Sequence, residues 1–426
     1  MQIKSLVAAL AFASTLGTSV WAQSQSDCSN TTTISRSFSL RAHRAAYKRV
    51  AGADEQSDGE DHVPLRIPSG SRLRNITVGA KGEQLVTYWS NASRALDSVV
   101  DQAVVMFHGR DRDGDTYWTI ANKAAKLANA NGIAGASNNT LIVAPQFFSK
   151  TQNSGQYATN QIAFSDNAWI YGGKASFPSK TNVTAFSAIT SLVTMLSNKK
   201  QFPKLKRVIL VGHGGGGQFI SRYSVLSPDI PSSAQVSIRY VIGDPSSNLY
   251  FTGDRPLRTS FNAVNYTKTT CPIYDTYRYG FTNITESVPT ATLSPRGYFT
   301  RFAKRDVVFV VGNNDTLPNG DQSGMAILTG GEIRRDRNYM YWRYINLLAG
   351  VPNTNKNLDR AGYPGSFSSS MPTWGGSTGG VLKAQLTIID GAKHDADLAY
   401  QSDLGVAAIF TPGLIKRGGP VLPATR

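Results

Sequence analysis

Between Val208 and Gln218 the chain reads Val-Ile-Leu-Val-Gly-His-Gly-Gly-Gly-Gly-Gln, an apolar run entering four consecutive glycines. A sharp strand-to-helix turn written Gly-x-Ser-x-Gly carries a serine nucleophile at its apex. Gly212, His213 and Gly216 fill that frame, but the apex residue is Gly214. Three other apolar runs end in reactive residue types: Phe107-His108-Gly109-Arg110, Val311-Gly-Asn-Asn-Asp315, and the run leading through Asp390-Gly-Ala-Lys to His394. Apex, then acid, then histidine, each just past a strand, is an order used for acyl transfer. Asp244, at the end of the strand after the turn, is an alternative acid; the Gly-Asn-Asn-Asp context favours Asp315. Either aspartate could instead serve as a helix N-cap or turn residue. Of five histidines, His43 and His62 fall in an N-terminal arm, and His108 and His213 read as packed neighbours of the turn.

The elements that must position these residues alternate. Strands are expected at Gln84–Trp89, Ala103–Phe107, Leu141–Ala144, Arg207–Val211, Val236–Ile242, Val307–Val311 and Leu386–Ile389, each a short run rich in Val and Ile. Runs of that kind belong to a parallel sheet covered on both faces. Val183, Phe186, Ile189, Leu192, Val193 and Leu196 recur at helical spacing, and Tyr339–Leu348 forms another helix. The expected fold is therefore α/β, a mostly parallel central sheet with helices on both faces. Residues 245–295, rich in Tyr, Thr and Pro, read as a cap insertion, and Tyr363–Gly380 as a mobile loop. The expected organisation is a leader at 1–22, a polar arm at 23–74, one domain at 75–412 and a tail at 413–426. The arm holds a possible dibasic processing site at Lys48-Arg49.

Over roughly Asn75 to Tyr400 the chain resembles secreted, fungal-type members of the α/β-hydrolase superfamily. The turn with its ordered acid and histidine carries the resemblance. Asn167-Ala-Trp-Ile-Tyr-Gly172, Pro245-Ser-Ser247 with Leu249-Tyr250, and Cys271 followed by Tyr277-Arg-Tyr-Gly280 add to it. The resemblance implies a serine esterase or lipase scaffold in which His394 is the general base and Asp315 fixes its tautomer. Backbone N–H groups of Gly215 and of Gly109 or Arg110 would hold an oxyanion. Glycine accepts the strained apex conformation without a Cβ penalty, so the fold would survive while the covalent nucleophile is lost. Ser221 falls about two turns down the following helix, roughly 10 Å away at 1.5 Å per residue. The expectation is a pseudoenzyme or very weak hydrolase taking a small ester-like or apolar ligand, with a water activated by His394 and Asp315 as the alternative. Another alternative is a dinucleotide-binding oxidoreductase: Gly212, Gly214 and Gly217 match G-x-G-x-x-G, with Asp244 at about the spacing for a ribose. No cofactor is expected, and no metal: His108, His213 and His394 include no close pair such as His-x-x-x-His.

Met1-Gln-Ile-Lys4, an apolar run to about Leu16 and Ser19-Val-Trp-Ala22 together read as an export signal, which places the protein outside the cell. No later run is long enough for a transmembrane helix. Sequons at Asn30, Asn75, Asn91, Asn138, Asn182, Asn265 and Asn283 fit a secreted glycoprotein; Asn314 also matches but adjoins a site residue. Cys28 and Cys271, the two cysteines, could pair in an oxidising compartment. The formal net charge of +16 points to attraction toward an anionic surface. The Lys and Arg residues are scattered, and a nucleic-acid partner is not expected.

Overall fold

The computed structural model describes residues 64–90, 94–257, 269 and 271–413. The leader, nearly all of the arm, Cys28 and the tail beyond Gly413 lie outside the described residues, as do Asn30, Asn91 and Asn265. Cys271 is disulfide-bonded.

Eight strands form one sheet: β1 (Arg72–Thr77), β2 (Gln84–Trp89), β3 (Gln102–Phe107), β4 (Thr140–Gln146), β5 (Arg207–His213), β6 (Ser237–Gly243), β7 (Asp306–Gly312) and β8 (Gln385–Ile389). Their spatial order is β1-β2-β4-β3-β5-β6-β7-β8. β2 runs antiparallel to both β1 and β4, and the rest of the sheet is parallel. This is the α/β-hydrolase arrangement. The seven strands expected from the sequence are all present. β1 was not expected, because its alternating exposed and buried residues make it an edge strand with one wet face, unlike the continuous apolar runs. It begins inside the segment read as arm.

Alternation along the central strands feeds two cores. Val105, Phe107, Val208 and Leu210 pack on one face of the sheet, while Val104, Met106, Ile209 and Val211 pack on the other. Each such fully buried aliphatic side chain contributes roughly 1.5–3 kcal/mol. α1 (Gly114–Ala130) closes the second face with Trp118, Ala121 and Ala124. α2 (Ala185–Leu196) closes the first, and its start is fixed by a capping box in which Thr184 and Ser187 exchange side-chain bonds. α3 (Gly215–Leu226), α4 (Pro295–Phe302) and α5 (Arg334–Leu348) complete that side. α6 (Ala396–Gln401) and α7 (Asp403–Phe410) return to the second face.

Two expectations change. α5 begins at Arg334, five residues before the expected Tyr339, because its first turn is polar yet buried: Arg334, Arg335, Asp336 and Arg337 are all at most 3% exposed. The Tyr363–Gly380 stretch, read as mobile, is docked. The Trp374 N–H donates to Leu348 O at 2.6 Å, and the Trp374 ring meets Phe299 edge-on at 5.7 Å. The segment read as a cap packs against α3 and α5. Tyr250 contacts Tyr341 and Tyr344, and the Arg222 guanidinium donates to Arg278 O.

At the start of α1, burial and then the neighbouring Asp111 and Asp115 push Asp113 up to about 7 from 3.8. The folded state therefore keeps a proton that the unfolded chain has released, and this group's stabilising contribution is lost as pH rises from about 4 through 7. Asp113→Asn, which is close in size and cannot ionise, should gain stability relative to the parent across that window. Urea midpoints measured from pH 4 to 8 check this, and a difference that does not grow with pH counts against it.

Candidate functional site

The site is built from four strand ends on one edge of the sheet. At the first, β5 runs into Gly214, whose φ of 57° and ψ of −114° lie where L-residues are strained. Gly214 N–H donates to Gly243 O at 2.9 Å, which ties the turn to the end of β6. The neighbouring glycines have a packing reason: a Cβ on Gly212 would meet the Gly216 carbonyl, and one on Gly217 the Gly243 carbonyl. The helix following the turn thus sits too close to β5 and β6 for any side chain there. A Cβ built on Gly214 would lie 2.8 Å from His394 Nε2. The apex and the imidazole face each other, and the ring fills the space a longer apex side chain would use.

Asp315 follows β7 and His394 follows β8. The two loops are stitched together by Asn313 N–H to Ile389 O and Asn314 N–H to Ala392 O. His394 Nδ1 lies 3.1 Å from Asp315 Oδ2, and with an ionised acid Nδ1 carries the proton that it donates. Asp395 caps α6 and anchors the histidine's chain neighbour. Arg334, at the start of α5, grips both oxygens of Asp315 with Nε and Nη2 at 2.9 Å each. Burial alone would raise Asp315. The hydrogen bond from His394 and the Arg334 guanidinium outweigh it and hold the carboxyl well below its usual range. For His394, enclosure by the protein, then the Arg334 charge and the His213 ring, outweigh the pull of Asp315 and push it down to about 4.

Asp244, the alternative acid, does not pair with His394. It is fully buried behind His213, with Oδ2 3.3 Å from His213 Nε2, and both its oxygens accept from Gly312 N–H. A ribose could not reach it, which removes the acid from the dinucleotide reading. His213 stacks on His394 at 4.5 Å between ring centroids. His108 accepts from Phe147 N–H through Nε2 and meets the Phe147 and Trp169 rings edge-on. Gly109, Arg110 and Gly215 come together: the Cβ position of Gly215 lies 3.4 Å from Arg110 N and 3.5 Å from Gly109 C. Ser221 is buried and bonded to Asn248, outside the cleft.

These residues open into a cleft of about 590 Å³, also lined by Tyr117, Ile170, Gln218, Ser246 and Asp321. Ile170 is placed by the short helix Ala168–Tyr171, within a motif the sequence had singled out. Ser246 also lies within a motif the sequence had singled out, Pro245-Ser-Ser247, whereas Arg334 was missed. Arg334 sits in the run Glu-Ile-Arg-Arg-Asp-Arg-Asn-Tyr339, whose density of charge against an apolar helix was the available signal. Ser246 follows the β6 end directly, and no hydrogen bond joins it to His394 among the described residues. No helix among them is long and apolar enough to cross a membrane.

No protein-family model matches the chain, and no curated protein matches it. Among solved structures it is similar to poly(aspartic acid) hydrolase-1 from Sphingomonas sp. KT-1, at 15% identity over 78% of this chain and 96% of that one, with a TM-score of 0.47. It is also similar to LpqC, a poly(3-hydroxybutyrate) depolymerase from Bordetella parapertussis, at 15% identity over 78% and 88% of the two chains and a TM-score of 0.44. The siderophore hydrolase EstB from Aspergillus nidulans matches at 12% identity over 83% and 99%, with a TM-score of 0.39. The fold assignment rests on strand order and site geometry, to which these likenesses add no argument.

Two substitutions test the geometry. Gly214→Ala introduces a strained φ and a Cβ against the imidazole, and should cost roughly 1–3 kcal/mol. Arg334→Leu strips a buried carboxylate of its bidentate partner and should cost roughly 3–5 kcal/mol. Denaturant titration at pH 7 reads both; a neutral Arg334→Leu would contradict the charge pairing described here.

Proposed function

We propose that this is an exported serine-hydrolase-like protein whose nucleophile position has been vacated, and that its cleft binds a small ester-like or apolar ligand without forming a covalent intermediate. The observation that carries this reading is Gly214: it holds the strained apex conformation opposite His394 Nε2, and among the described residues no hydroxyl or thiol stands there. Asp315 orients the imidazole and Gly215 with Arg110 offers backbone donors beside it, so the surroundings of a covalent reaction remain. A ligand carbonyl would lie toward those donors, against Ile170 and Tyr117.

Export is supported by the basic, apolar and small-residue leader. The sequon asparagines Asn75, Asn138, Asn182 and Asn283 are exposed and open to glycosylation. A second reading is favoured by His394 Nε2, which faces the cleft with no hydrogen bond from the described residues. There it could hold a water and support slow hydrolysis, since an oxyanion hole and binding alone retain about 10³–10⁴-fold over water.

Treatment with a fluorophosphonate probe separates the outcomes. The native protein should not label, and Gly214→Ser should label slowly, because its Cβ must displace the imidazole. Labelling of the native protein would expose another nucleophile. A folded Gly214→Ser variant that stays unlabelled would remove the catalytic ancestry. Hydrolysis of a p-nitrophenyl ester by the native protein, lost in His394→Ala, would select the water route.

A further inference from the structure

The mechanism implied by an acid–histidine pair leaves a second buried group unused. His213 ends β5 and Asp244 follows β6, and one donor atom from each, with one from His394, all lie within 4.8 Å of one another. His213 is 2% exposed, yet among the described residues its Nε2 makes no hydrogen bond. It stands 3.3 Å from Asp244 Oδ2. Two such atoms that converge without bonding are answered if a third body lies between them. Adjacent donors around a tetrahedral zinc, with bonds of about 2.0–2.2 Å, stand about 3.3 Å apart.

We propose that His213, Asp244 and His394 form a binding site for a divalent first-row transition metal such as Zn²⁺, open on the cleft side. Two imidazoles and a carboxylate suit that class of ion rather than Mg²⁺ or Ca²⁺, which take oxygen ligands. Each donor has a partner that fixes its direction. Asp315 holds His394 through Nδ1, leaving Nε2 as the ligand atom, and Gly312 N–H holds Asp244. A carboxylate behind a ligating histidine is the usual supporting arrangement at metal sites. Glycine at 214 matters sterically, since a Cβ there would come within 2.8 Å of His394 Nε2. Three protein donors leave a coordination position for water or a ligand atom. Helical spacing could not reveal this set, because its members come from the ends of three different strands.

This inference rests on reading Gly214 as a vacated position, but its readouts are independent of ester binding and of probe labelling. Tag-free protein is stripped with chelator, dialysed, and titrated with Co²⁺ while visible absorption is recorded. One Co²⁺ per chain should bind, with d–d bands of a four- or five-coordinate site, and Zn²⁺ should displace it. Asp244→Asn and His394→Ala should each weaken binding at least 100-fold, and Asp315→Asn, which keeps all three donors, about 10–100-fold. Should Asp244→Asn fail to fold, His394→Ala carries the test, because its side chain is about a third exposed. Fewer than one Co²⁺ per chain, or binding unchanged in folded His394→Ala, overturns the proposal even if the fluorophosphonate results stand.

Discussion

A carboxylate sealed in a protein interior stays ionised only if charge and hydrogen bonds answer it. Asp315 is answered on two sides, by the paired N–H groups of Arg334 and by Nδ1 of His394. Those groups come from the start of α5 and from the loop after β8, while Asp315 follows β7. One buried carboxylate with two partners therefore locks three separate segments at the C-terminal end of the sheet. It also sets the plane of the imidazole, and so the direction in which Nε2 points. Remove the guanidinium and the remaining partner would have to hold a desolvated charge alone.

The sheet was legible because its strands are buried on both faces, and continuous Val and Ile runs announce that condition. β1 was not, since an edge strand with one wet face shows only Leu73, Ile76 and flanking polar residues. The order of Gly214, Asp315 and His394 could be read along the chain because each follows a recognisable strand. Arg334 could not. Its run of charge looks like a solvated surface, and nothing local says that the Asp315 loop will bury it. The same holds for His213 with Asp244. Their separation along the chain hides that parallel neighbours β5 and β6 end side by side, with His213 opposite Gly243 in register.

Four glycines in a row admitted two architectures on paper, and packing separates them. Gly212 and Gly217 are small because backbone carbonyls of the turn and of β6 press on them. Gly214 is small for a different reason, a backbone conformation that a side chain would strain. A G-x-G-x-x-G match thus arises here from helix–sheet contact plus one vacated apex, with its would-be ribose acid buried and already bonded to Gly312. Spacing alone reports that glycines are needed; only the surrounding atoms report why.

The state of the imidazole bears on the vacated-site reading as much as the missing side chain does. A general base works best when its pKa lies near the working pH, since proton affinity supplies the driving force for taking a proton. Enclosure, Arg334 and His213 push His394 down to about 4, so at neutral pH the ring is unprotonated but a poor acceptor. Asp315 would oppose that shift, yet Arg334 takes both its oxygens and neutralises much of its influence. Glycine at the apex and the lowered proton affinity of the imidazole are separate physical features, set by different residues. The ring is held through Nδ1 by Asp315 and lines the cleft, so its orientation is set by the buried acid and not by anything at the apex.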